Sequence, residues 1–362
     1  MNCEFWRGKR VLITGHTGFK GSWLSLWLGR LGAHVIGYSS APPTSPSNFV
    51  VSRVVDFLDV SEDGDVQDLN ALLNCFGKHK PDIVFHMAAQ PLVRYSYQHP
   101  AETFGVNVIG TVNVLEAVRR TSSVKSVVII TSDKCYQNRE WLWGYREDEP
   151  MGGHDPYSSS KGCAELVVSA YRSSYFPPAE YHRHQVGLAS ARAGNVIGGG
   201  DWSPDRLVPD LLHAHERGKE ALIRNPVAIR PWQFVLEPLS GYMTLAEKLF
   251  DHGAAYSEAW NFGPREDDVL AVELLVKKLS SFLQGGIRYR VQPEPNLHEA
   301  TSLKLDCTKV AIKLGWRPRT SINDTLRFIS EWQNSLLLGI DMQAVSIGQI
   351  DTFQSMNSGR KK

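Results

Sequence analysis

The sequence predicts an α/β protein built on a doubly wound parallel sheet, with a smaller C-terminal α/β lobe. Two observations carry this prediction. Short apolar runs rich in β-branched residues, such as Val127–Ile130, are typical of strands buried on both faces. Amphipathic segments alternate with these runs, and a glycine-rich loop joins the first run to the first such segment. A chain of 362 residues has room for one large α/β domain with an appendage.

Composition and charge exclude several classes of function. The chain is 42% hydrophobic and carries a formal net charge of +1, which argues against a nucleic-acid or membrane-surface partner. No apolar run reaches the ~18 residues of a membrane-spanning helix, and the polar N-terminus does not resemble a secretory signal. The five cysteines lack the spacing of a disulfide framework or a zinc site. We therefore expect a cytoplasmic protein without a metal.

The first forty residues indicate a strand, a glycine loop, a helix and a second strand. Lys9–Thr14 and His34–Tyr38 are the predicted strands, and the helix between them ends at Gly32. The loop has the pattern G-x-x-G-x-x-G, whose glycines let backbone amides approach a pyrophosphate at the helix N-terminus. This context predicts a Rossmann-type dinucleotide site. Its predicted cofactor contacts are Gly15, His16, Thr17, Gly18, Phe19, Lys20 and Gly21.

The second predicted strand ends without the acidic residue that usually binds a ribose 2′-hydroxyl. The sequence therefore does not select NAD over NADP at this point. His16 and Lys20 add possible positive charge to the loop, and we favour a place near the cofactor phosphates for Lys20 over a solvated one. Asp59, at the end of a predicted third strand Asp56–Val60, could accept from an adenine amine. A helix-capping role for Asp59 is an open alternative.

The fourth predicted strand, Pro81–Gln90, ends in small residues that would let a nicotinamide ribose approach the backbone. Ala88, Ala89 and Gln90 are the predicted contacts. A helix from about His99 to Arg120 carries Asn107 among apolar positions, and a buried asparagine must find partners. Asn107 could hold a water or a hydrogen bond linked to Lys161, or it could mark a structural kink.

A polar cluster follows the strand Val127–Ile130, and it carries the predicted chemistry. Ser132, Asp133 and Lys134 stand where parallel sheets place their ligands. Tyr157 and Lys161 are four residues apart, so both side chains project from one face of a helix. The lysine would lower the pKa of Tyr157, which could take a proton from a substrate hydroxyl that Ser132 orients. For these two residues alone, a solvated helix start is an equal alternative.

The predicted domain division follows the motifs. Residues 1–193 form the cofactor-binding domain, to which a return segment at about 233–264 belongs. Residues 194–232 and 265–345 form the substrate-binding lobe, and residues 346–362 are a polar tail. In the lobe, separated arginines near an asparagine and a tryptophan suit a diphosphate and a stacked base, although scattered surface arginines are the alternative.

With these motifs in this order, the chain resembles the extended short-chain dehydrogenase/reductases. The resemblance covers about Arg7 to Met342 and is strongest to the nucleotide-sugar 4,6-dehydratases that act on CDP-glucose. The resembling segments are GHTGFKGSWLSLWL (15–28), HMAAQPLVRYSY (86–97), TSDKCYQNREWLWGYRE (131–147), PYSSSKGCAE (156–165), RAGNVIGGGDW (192–202) and IRPWQFVLEPLSGY (229–242).

The resemblance implies NAD as cofactor and a redox-neutral removal of water from CDP-glucose. Tyr157 would take the proton of the sugar 4-hydroxyl while hydride passes from C4 to NAD, and the hydride would return to C6 after water leaves. Asp133 would protonate the departing 6-hydroxyl, which requires burial to raise its pKa. The product would be CDP-4-dehydro-6-deoxy-D-glucose.

Lys134 departs from the pattern of other nucleotide-sugar dehydratases, which have a glutamate there as the base at sugar C5. A lysine could be that base only if its pKa is lowered, whereas an ion pair with Asp133 would raise it. We take Lys134 as the base. A proton shared by the pair, or enolate stabilisation by Lys134 with another group as base, are the alternatives left open.

The resemblance also implies a substrate site in the lobe and an oligomer. Its residues would be Asn195, Arg206, Arg230, Trp232 and His298, with Asn195 and Arg230 on the diphosphate. Family members form homodimers or homotetramers through their long helices, and the pathway would supply deoxysugars for surface polysaccharide such as the lipopolysaccharide O-antigen. The alternatives are a nucleotide-sugar 4-epimerase, a dehydratase for another nucleotide-glucose, and an inactive NAD-binding protein.

Overall fold

The computed structural model describes residues 2–292 and 302–356. Its strands, in chain order, are β1 (Arg10–Thr14), β2 (His34–Ser39), β3 (Val60–Asp63), β4 (Ile83–His86), β5 (Ser126–Ile130), β6 (Gly187–Arg192), β7 (Val196–Ile197), β8 (Ala221–Ile223), β9 (Ile229–Pro231), β10 (Gln233–Phe234), β11 (Ala259–Asn261), β12 (Val269–Ala271) and β13 (Tyr289–Val291). Its α-helices are α1 (Phe19–Arg30), α2 (Asn48–Val51), α3 (Leu69–His79), α4 (Val93–Gln98), α5 (Pro100–Phe104), α6 (Gly110–Arg119), α7 (Pro156–Ser174), α8 (Tyr181–His184), α9 (Leu207–Glu216), α10 (Leu236–Tyr256), α11 (Val272–Phe282), α12 (Thr308–Lys313), α13 (Ile322–Leu337) and α14 (Met342–Ser355).

The main sheet has the strand order β11-β6-β5-β4-β1-β2-β3, and every neighbouring pair in it is parallel. The chain winds outward from β1 to β3 in one direction and from β4 to β11 in the other. The switch between the two directions lies between β1 and β4, which is where open α/β sheets hold their ligands. The doubly wound parallel fold that the sequence predicts is confirmed.

Each face of the sheet has its own apolar core. One core joins the sheet to α1, α10 and parts of α13 and α14, and the other joins it to α3, α6 and α7. All five positions of β5 are buried, as its continuous apolar run predicts for a strand covered on both faces. Two large cores on opposite faces keep the carboxyl ends of β1, β4 and β5 fixed relative to one another.

The lobe has a separate core and does not extend the main sheet. Apolar side chains of α9, α11, α13 and β8 pack together there. Its strands form two-stranded pieces only: β7 with β10, β9 with β12, and β8 with β13. The chain returns to the main sheet once, because β11 pairs with β6 inside the predicted return segment.

Two predicted boundaries are wrong. The third strand is Val60–Asp63 rather than Asp56–Val60, because residues 54–57 form a 3-10 turn before it. The helix predicted from about His99 to Arg120 has the expected ends, at Pro100 and Arg119, and a π turn at Gly105–Ile109 separates α5 from α6 within it. The polar tail does not begin at residue 346, because α14 continues to Ser355 with two fully buried side chains, Ile350 and Phe353.

Two searches of the described residues bear on the predicted partners. No helix within residues 2–292 and 302–356 combines the length and apolarity needed to cross a membrane. Within that part of the chain, no group of three or more His, Cys, Asp and Glu side chains is arranged to hold a metal ion. All five cysteines are free thiols.

Candidate active site

One large cavity, of about 1570 Å³, runs from the glycine loop to the lobe. It opens at the carboxyl ends of β1, β4 and β5, on the switch point of the sheet. The first turns of α1 and α7 form its walls on the sheet side, and the start of α9 and the chain after β8 form its far end. Residues from both parts of the chain therefore face a single space.

The glycine loop forms a cradle that side chains would fill. Gly15 has a φ of +76°, and a Cβ there would lie 2.7 Å from the backbone nitrogen of Ala88. A Cβ at Gly21 would lie 2.1 Å from the carbonyl oxygen of Gly15. Gly18 is the N-cap of α1 and offers no side chain to its first amides. The helix N-terminus is thus left open to an anion such as a pyrophosphate, as a dinucleotide requires.

Two side chains of the loop make contacts that the sequence did not predict. His16 is buried, its Nε2 lies 2.8 Å from Ser61 Oγ, and burial lowers its pKa to about 4, so it adds no positive charge. Thr17 ties the loop to the end of β2, because its Oγ1 lies 2.9 Å from Ser39 Oγ. The sequence predicted neither contact, since both partners come from other strands.

Lys20 reaches toward the catalytic end of the cavity. Its Nζ lies 5.9 Å from the centre of the Tyr242 ring. Burial and the charges of Lys161 and Arg206 lower its pKa to about 7. Lys20 therefore lies close to Lys161 and Arg206. Its predicted place near the cofactor phosphates stays a prediction.

The prediction for Asp59 is wrong. Its carboxylate accepts from the backbone nitrogen of Val35 at 2.8 Å and contacts His34 Nδ1 at 3.0 Å, at the amino end of the sheet. The carboxyl end of β3 instead presents Asp65, which lines the cavity and was missed. The misplaced strand boundary explains the error, because a shift of four residues moves a side chain to the opposite edge of the sheet.

Ala88 and Ala89 line the cavity as predicted, whereas Gln90 and Asn107 support it from behind. Asn107 accepts from the Gln90 amide at 2.8 Å and donates to the Gln90 carbonyl at 3.0 Å and to Ser160 Oγ at 2.8 Å. These bonds use both hydrogens of its amide, and Asn107 lies inside the π turn Gly105–Ile109, in agreement with the alternative of a structural kink. A link to Lys161 stays a prediction. Asn107 fixes the turn after β4 against α7.

A buried histidine that the sequence did not single out fixes the other end of this turn. His86 Nδ1 lies 2.7 Å from Thr14 Oγ1, which also accepts from the amides of Met87 and Ala88. Burial lowers the pKa of His86 to about 3, so the ring is neutral and accepts the Thr14 hydrogen. The turn beside Gly15 is therefore held by β1.

Ser132, Asp133 and Lys134 form a tight turn at the end of β5. Ser132 Oγ accepts from the Lys134 amide at 3.2 Å and donates to Asp133 Oδ1 at 3.0 Å. Asp133 is 2% exposed, and its Oδ2 is buried without a hydrogen-bond partner. Burial raises the pKa of Asp133 although the charge of Lys134 opposes the shift. The direction is the one that an acid at neutral pH requires.

Tyr157 and Lys161 lie in the first two turns of α7, facing the same space. Asp155 caps this helix and Pro156 occupies its first position, which fixes where Tyr157 stands. Burial raises the pKa of Tyr157 to about 12, although a hydrogen bond with Ser132 opposes this shift. Burial lowers the pKa of Lys161 to about 8. The predicted lowering of the Tyr157 pKa is therefore wrong for this structure, because desolvation of the phenolate outweighs neighbouring charge.

The Nζ of Lys134 lies 5.8 Å from the centre of the Tyr157 ring. Asp133, Lys134, Tyr157 and Lys161 all line the cavity. The structure thus brings together the five predicted catalytic residues, Ser132 included.

Four of the five predicted substrate-binding residues line the same cavity. Arg206 Nη1 lies 3.1 Å from Asp201 Oδ2, and Arg230 is near enough to Asp133 to influence its pKa. The Asn195 carbonyl accepts from the Gln233 amide at 3.2 Å, which joins β7 to β10. Trp232 is 4% exposed and donates to the Leu270 carbonyl, so its ring mainly packs in the lobe core. His298 lies outside the described residues.

An ion-pair cluster at the mouth of the cavity was missed by the sequence. Asp205, with a φ of +60°, lies 3.5 Å from Arg94 Nη1 of α4 and 3.5 Å from Arg224 Nη1 of the lobe. The two arginines are 130 positions apart, so no local pattern signals their meeting. The cluster joins the two walls of the cavity.

The fold and the site together define a dinucleotide-dependent enzyme of the extended short-chain dehydrogenase/reductase class. The family model described as GDP-mannose 4,6 dehydratase matches residues 12–329, and the chain belongs to this family.

Named relatives agree with this assignment. The chain is 55% identical over 352 residues to the CDP-glucose 4,6-dehydratase of Salmonella typhimurium, covering 97% of this chain and 98% of that one. It is 26% identical to the dTDP-glucose 4,6-dehydratase of Haemophilus influenzae, covering 89% and 97%. These shares show that the likeness extends over the lobe as well as the sheet.

Solved structures share the fold. The UDP-glucose 4-epimerase of Thermotoga maritima with UDP-glucose superposes with a TM-score of 0.75 at 22% identity, covering 90% of this chain and 99% of that one. The dTDP-glucose 4,6-dehydratase of Bacillus anthracis in complex with NAD gives a TM-score of 0.75 at 19% identity, covering 93% and 100%. The confirmed architecture is thus shared by epimerases and dehydratases alike.

Proposed function

We propose that the protein is an NAD-dependent lyase that converts CDP-D-glucose to CDP-4-dehydro-6-deoxy-D-glucose and water. The observation that carries this proposal is the buried carboxyl of Asp133 beside Ser132 and Tyr157, in a chain 55% identical to a CDP-glucose 4,6-dehydratase. Oxidation at C4 needs only the serine, tyrosine and lysine. A protonated acid in the same cavity is the additional group that water loss requires.

The cavity fits NAD at its glycine-loop end. The uncapped N-terminus of α1 would hold the pyrophosphate, and Gly15 and Gly21 leave the room that the backbone needs for this approach. Ala88 and Ala89 would line the ribose next to the nicotinamide. When bound there, NAD would supply the acceptor for the hydride of sugar C4 and the donor for its return to C6.

Tyr157 would take the proton of the 4-hydroxyl. Its raised pKa keeps the phenol protonated in the resting site, so proton transfer needs help from groups that stabilise the phenolate. A hydrogen bond with Ser132 already favours the phenolate, and the ammonium of Lys161 lies on the same helix face. Together they would form the oxidising triad.

Asp133 would protonate the departing 6-hydroxyl. Burial favours its neutral form, and Oδ2 has no protein partner that would compete for the proton. Ser132 Oγ holds the other oxygen at 3.0 Å and so orients the carboxyl.

Lys134 remains our proposed base at C5. Its amine lies near Tyr157, and its charge acts on Asp133. A single sugar ring must reach both the hydride acceptor and the acid that protonates the leaving hydroxyl, so a base beside these groups could also reach C5. An ion pair with an ionised Asp133 would oppose deprotonation of the lysine, whereas the neutral Asp133 that burial favours would not. Replacement Lys134→Met should stop exchange of the C5 proton with solvent deuterium, and unimpaired exchange would reject this role.

The lobe would bind the nucleotide. We propose that Asn195, Arg206 and Arg230 hold the diphosphate and that the edge of Trp232 faces the base, because all four line the cavity. Arginine forks match phosphate oxygens in pairs. The fifth predicted residue, His298, lies outside the described residues, and its role stays a prediction.

We further propose a cytoplasmic homodimer or homotetramer that supplies deoxysugars for surface polysaccharide. Large side chains stay half exposed on the outer faces of the helices that were predicted to associate, namely Ile109, Leu166 and Tyr175. Exposed apolar side chains mark interfaces where they form one contiguous patch. Light scattering on the purified chain would give the mass of the particle.

The test of the proposed function follows the mass of the sugar nucleotide and the redox state of the cofactor in one reaction. The protein with CDP-glucose and NAD should produce a species lighter by one water, without accumulation of NADH. An unchanged mass with a new sugar configuration would instead identify a 4-epimerase. Asp133→Asn is the informative variant, because it should block water loss and leave C4 oxidation possible.

A further inference from the structure

A buried ion pair that takes no part in the proposed mechanism lies directly under the catalytic turn. Arg192 Nη2 is 2.7 Å from Glu165 Oε2, and each side chain is 4% exposed. Removing two charges from water is costly, and their attraction offsets the cost only where their remaining hydrogen-bonding groups also find partners. The partners that these two side chains take are therefore informative.

The pair holds both flanks of the catalytic turn. Thr131, immediately before Ser132, donates from Oγ1 to Glu165 Oε1 at 2.5 Å. Tyr136, immediately after Cys135, accepts at its hydroxyl from Arg192 Nη1 at 2.6 Å. The 3-10 turn Asp133–Cys135 is thus bracketed by two short hydrogen bonds to one ion pair.

The same pair connects the turn to the catalytic helix and to the rest of the sheet. Glu165 is one turn beyond Lys161 on α7, and its Oε2 also accepts from Ser190 of β6 at 2.7 Å. Arg192 ends β6 and donates to the Glu147 carbonyl at 3.0 Å. The Tyr136 hydroxyl donates to Asn261 Oδ1 of β11 at 2.7 Å.

We propose that Glu165 and Arg192 are positioning residues that fix the Ser132–Lys134 turn in register with Tyr157 and Lys161. The proposal rests on the proposed function, because that function requires the turn and α7 to act together in one reaction. Elimination needs the turn and α7 to meet a single sugar ring, and a displacement of about 1 Å can cost roughly 100-fold in rate. A rigid charged pair suits this task because its two hydrogen bonds end on the hydroxyls of Thr131 and Tyr136, the residues that flank the turn.

Direct removal of either charge would leave the other buried and unpaired, and the chain could unfold. The test therefore removes the arms and keeps the pair. Thr131→Val and Tyr136→Phe each delete one hydroxyl and keep the shape of the side chain. Thr131→Ser restores the hydroxyl and is the rescue variant. Ser126→Ala is the matched control, because it deletes a buried hydroxyl at the opposite end of β5, where Ser126 donates to the Ala246 carbonyl at 2.9 Å.

Thr131→Val and Tyr136→Phe are expected to lower kcat for water loss roughly 10- to 100-fold, while KM for CDP-glucose stays within about threefold. C4 oxidation should suffer less than elimination, so NADH should accumulate in the first turnover of these variants and not in the wild type. Thr131→Ser should recover most of kcat. Ser126→Ala should lower the thermal midpoint without changing kcat or the NADH transient.

Three results would overturn the positioning role: unchanged kcat in both arm variants, an equal loss of kcat in Ser126→Ala, or no recovery in Thr131→Ser. The wild type in the same assay separates this failure from that of the proposed function. If wild-type protein removes no water from CDP-glucose, the proposed function fails first. If it does and the arm variants match it, only the positioning role is lost.

Discussion

The two walls of the cavity hold their charged side chains in different ways. On the sheet side, Glu165 and Arg192 meet at 2.7 Å with 4% exposure on each side chain. On the lobe side, Arg224 and Asp205 meet at 3.5 Å, with exposures of 26% and 42%. A pair near solvent is weakened by salt and by side-chain motion, whereas a dry pair is not. Under the proposed function, the chemistry would therefore rest on fixed groups, whereas the pair on the lobe side could exchange partners when a nucleotide binds.

This difference suits the two tasks. Proton transfer needs donors and acceptors placed in advance, because rearrangement during the reaction adds to the barrier. Phosphate binding tolerates arginines that leave a carboxylate for the ligand, since the ion pair they give up contributes only ~0–1 kcal/mol near the surface. Variants on the sheet side should accordingly change kcat, and variants in the lobe should change KM.

The largest effect is expected from Tyr157→Phe. Loss of the phenol removes the base for the 4-hydroxyl, and kcat should fall roughly 10²- to 10⁴-fold with KM nearly unchanged. The measurement is the rate of water loss from CDP-glucose by mass spectrometry. Tyr171→Phe is the matched control, because Tyr171 lies on the same helix outside the cavity. Similar rates for the two variants would contradict the assignment of Tyr157.

Gly194→Ala should produce the next largest loss by displacing the acid without changing it. A Cβ at residue 194 would lie 1.9 Å from Asp133 Oδ2 and 2.4 Å from its Cγ. The short buried carboxyl must move, so we expect water loss to slow roughly 100-fold while C4 oxidation persists and NADH accumulates. Gly77→Ala on α3 is the control, since nothing lies within 4 Å of its Cβ. Unimpaired dehydration by Gly194→Ala would show that Asp133 is not held in its reactive position.

The sequence was most informative where a motif and a strand end coincide. The glycine loop, the Ser132–Lys134 turn and the first turns of α7 each follow from local signals, and the parallel sheet then brings them to one edge. Tyr157 and Lys161 could be paired because a helix fixes their spacing.

The errors came from contacts that no local pattern encodes. Asp59 was misplaced because the start of β3 depends on its pairing with β2, which begins at Ile36 opposite Val60. The charge of His16 depends on burial beside Ser61, a residue 45 positions away. Glu165 and Arg192 each lie in a segment that carries the family resemblance, but they are 27 positions apart and no local pattern signals that they pair. In each case the deciding partner belongs to another element of the fold.

Arg230→Lys would sharpen the comparison from the lobe side. Lysine keeps the charge but loses the planar fork that binds two phosphate oxygens, so KM for CDP-glucose should rise about 10-fold with kcat within about threefold. The measurement is a pair of saturation curves at low and high salt. Arg30→Lys is the control, since Arg30 is 52% exposed and pairs with Asp351 on the protein surface. A fall in kcat at constant KM would instead place Arg230 with Asp133 in the chemical step.

Glu237→Gln should have the smallest effect on turnover, because Glu237 does not line the cavity. Its Oε1 accepts from the amides of Arg319 and Thr320 at 2.7 and 2.6 Å, and its Oε2 is buried without a partner. Burial raises the pKa of this carboxyl from 4.5 to about 7. Folding therefore favours the protonated form, which the unfolded chain loses first as pH rises.

The sign follows from that order. Between about pH 4.5 and about pH 7, the folded chain binds more protons than the unfolded chain at this site, so the stabilising contribution falls as pH rises through the window and then levels off. Urea unfolding at about pH 5 and about pH 8 should show that the wild type loses on the order of 1–3 kcal/mol more than Glu237→Gln over this interval. The difference between the two proteins isolates Glu237, because all other titrating groups are shared. Parallel pH dependences of the two proteins would mean that Glu237 is ionised throughout, because its hydrogen bonds at Oε1 outweigh its burial.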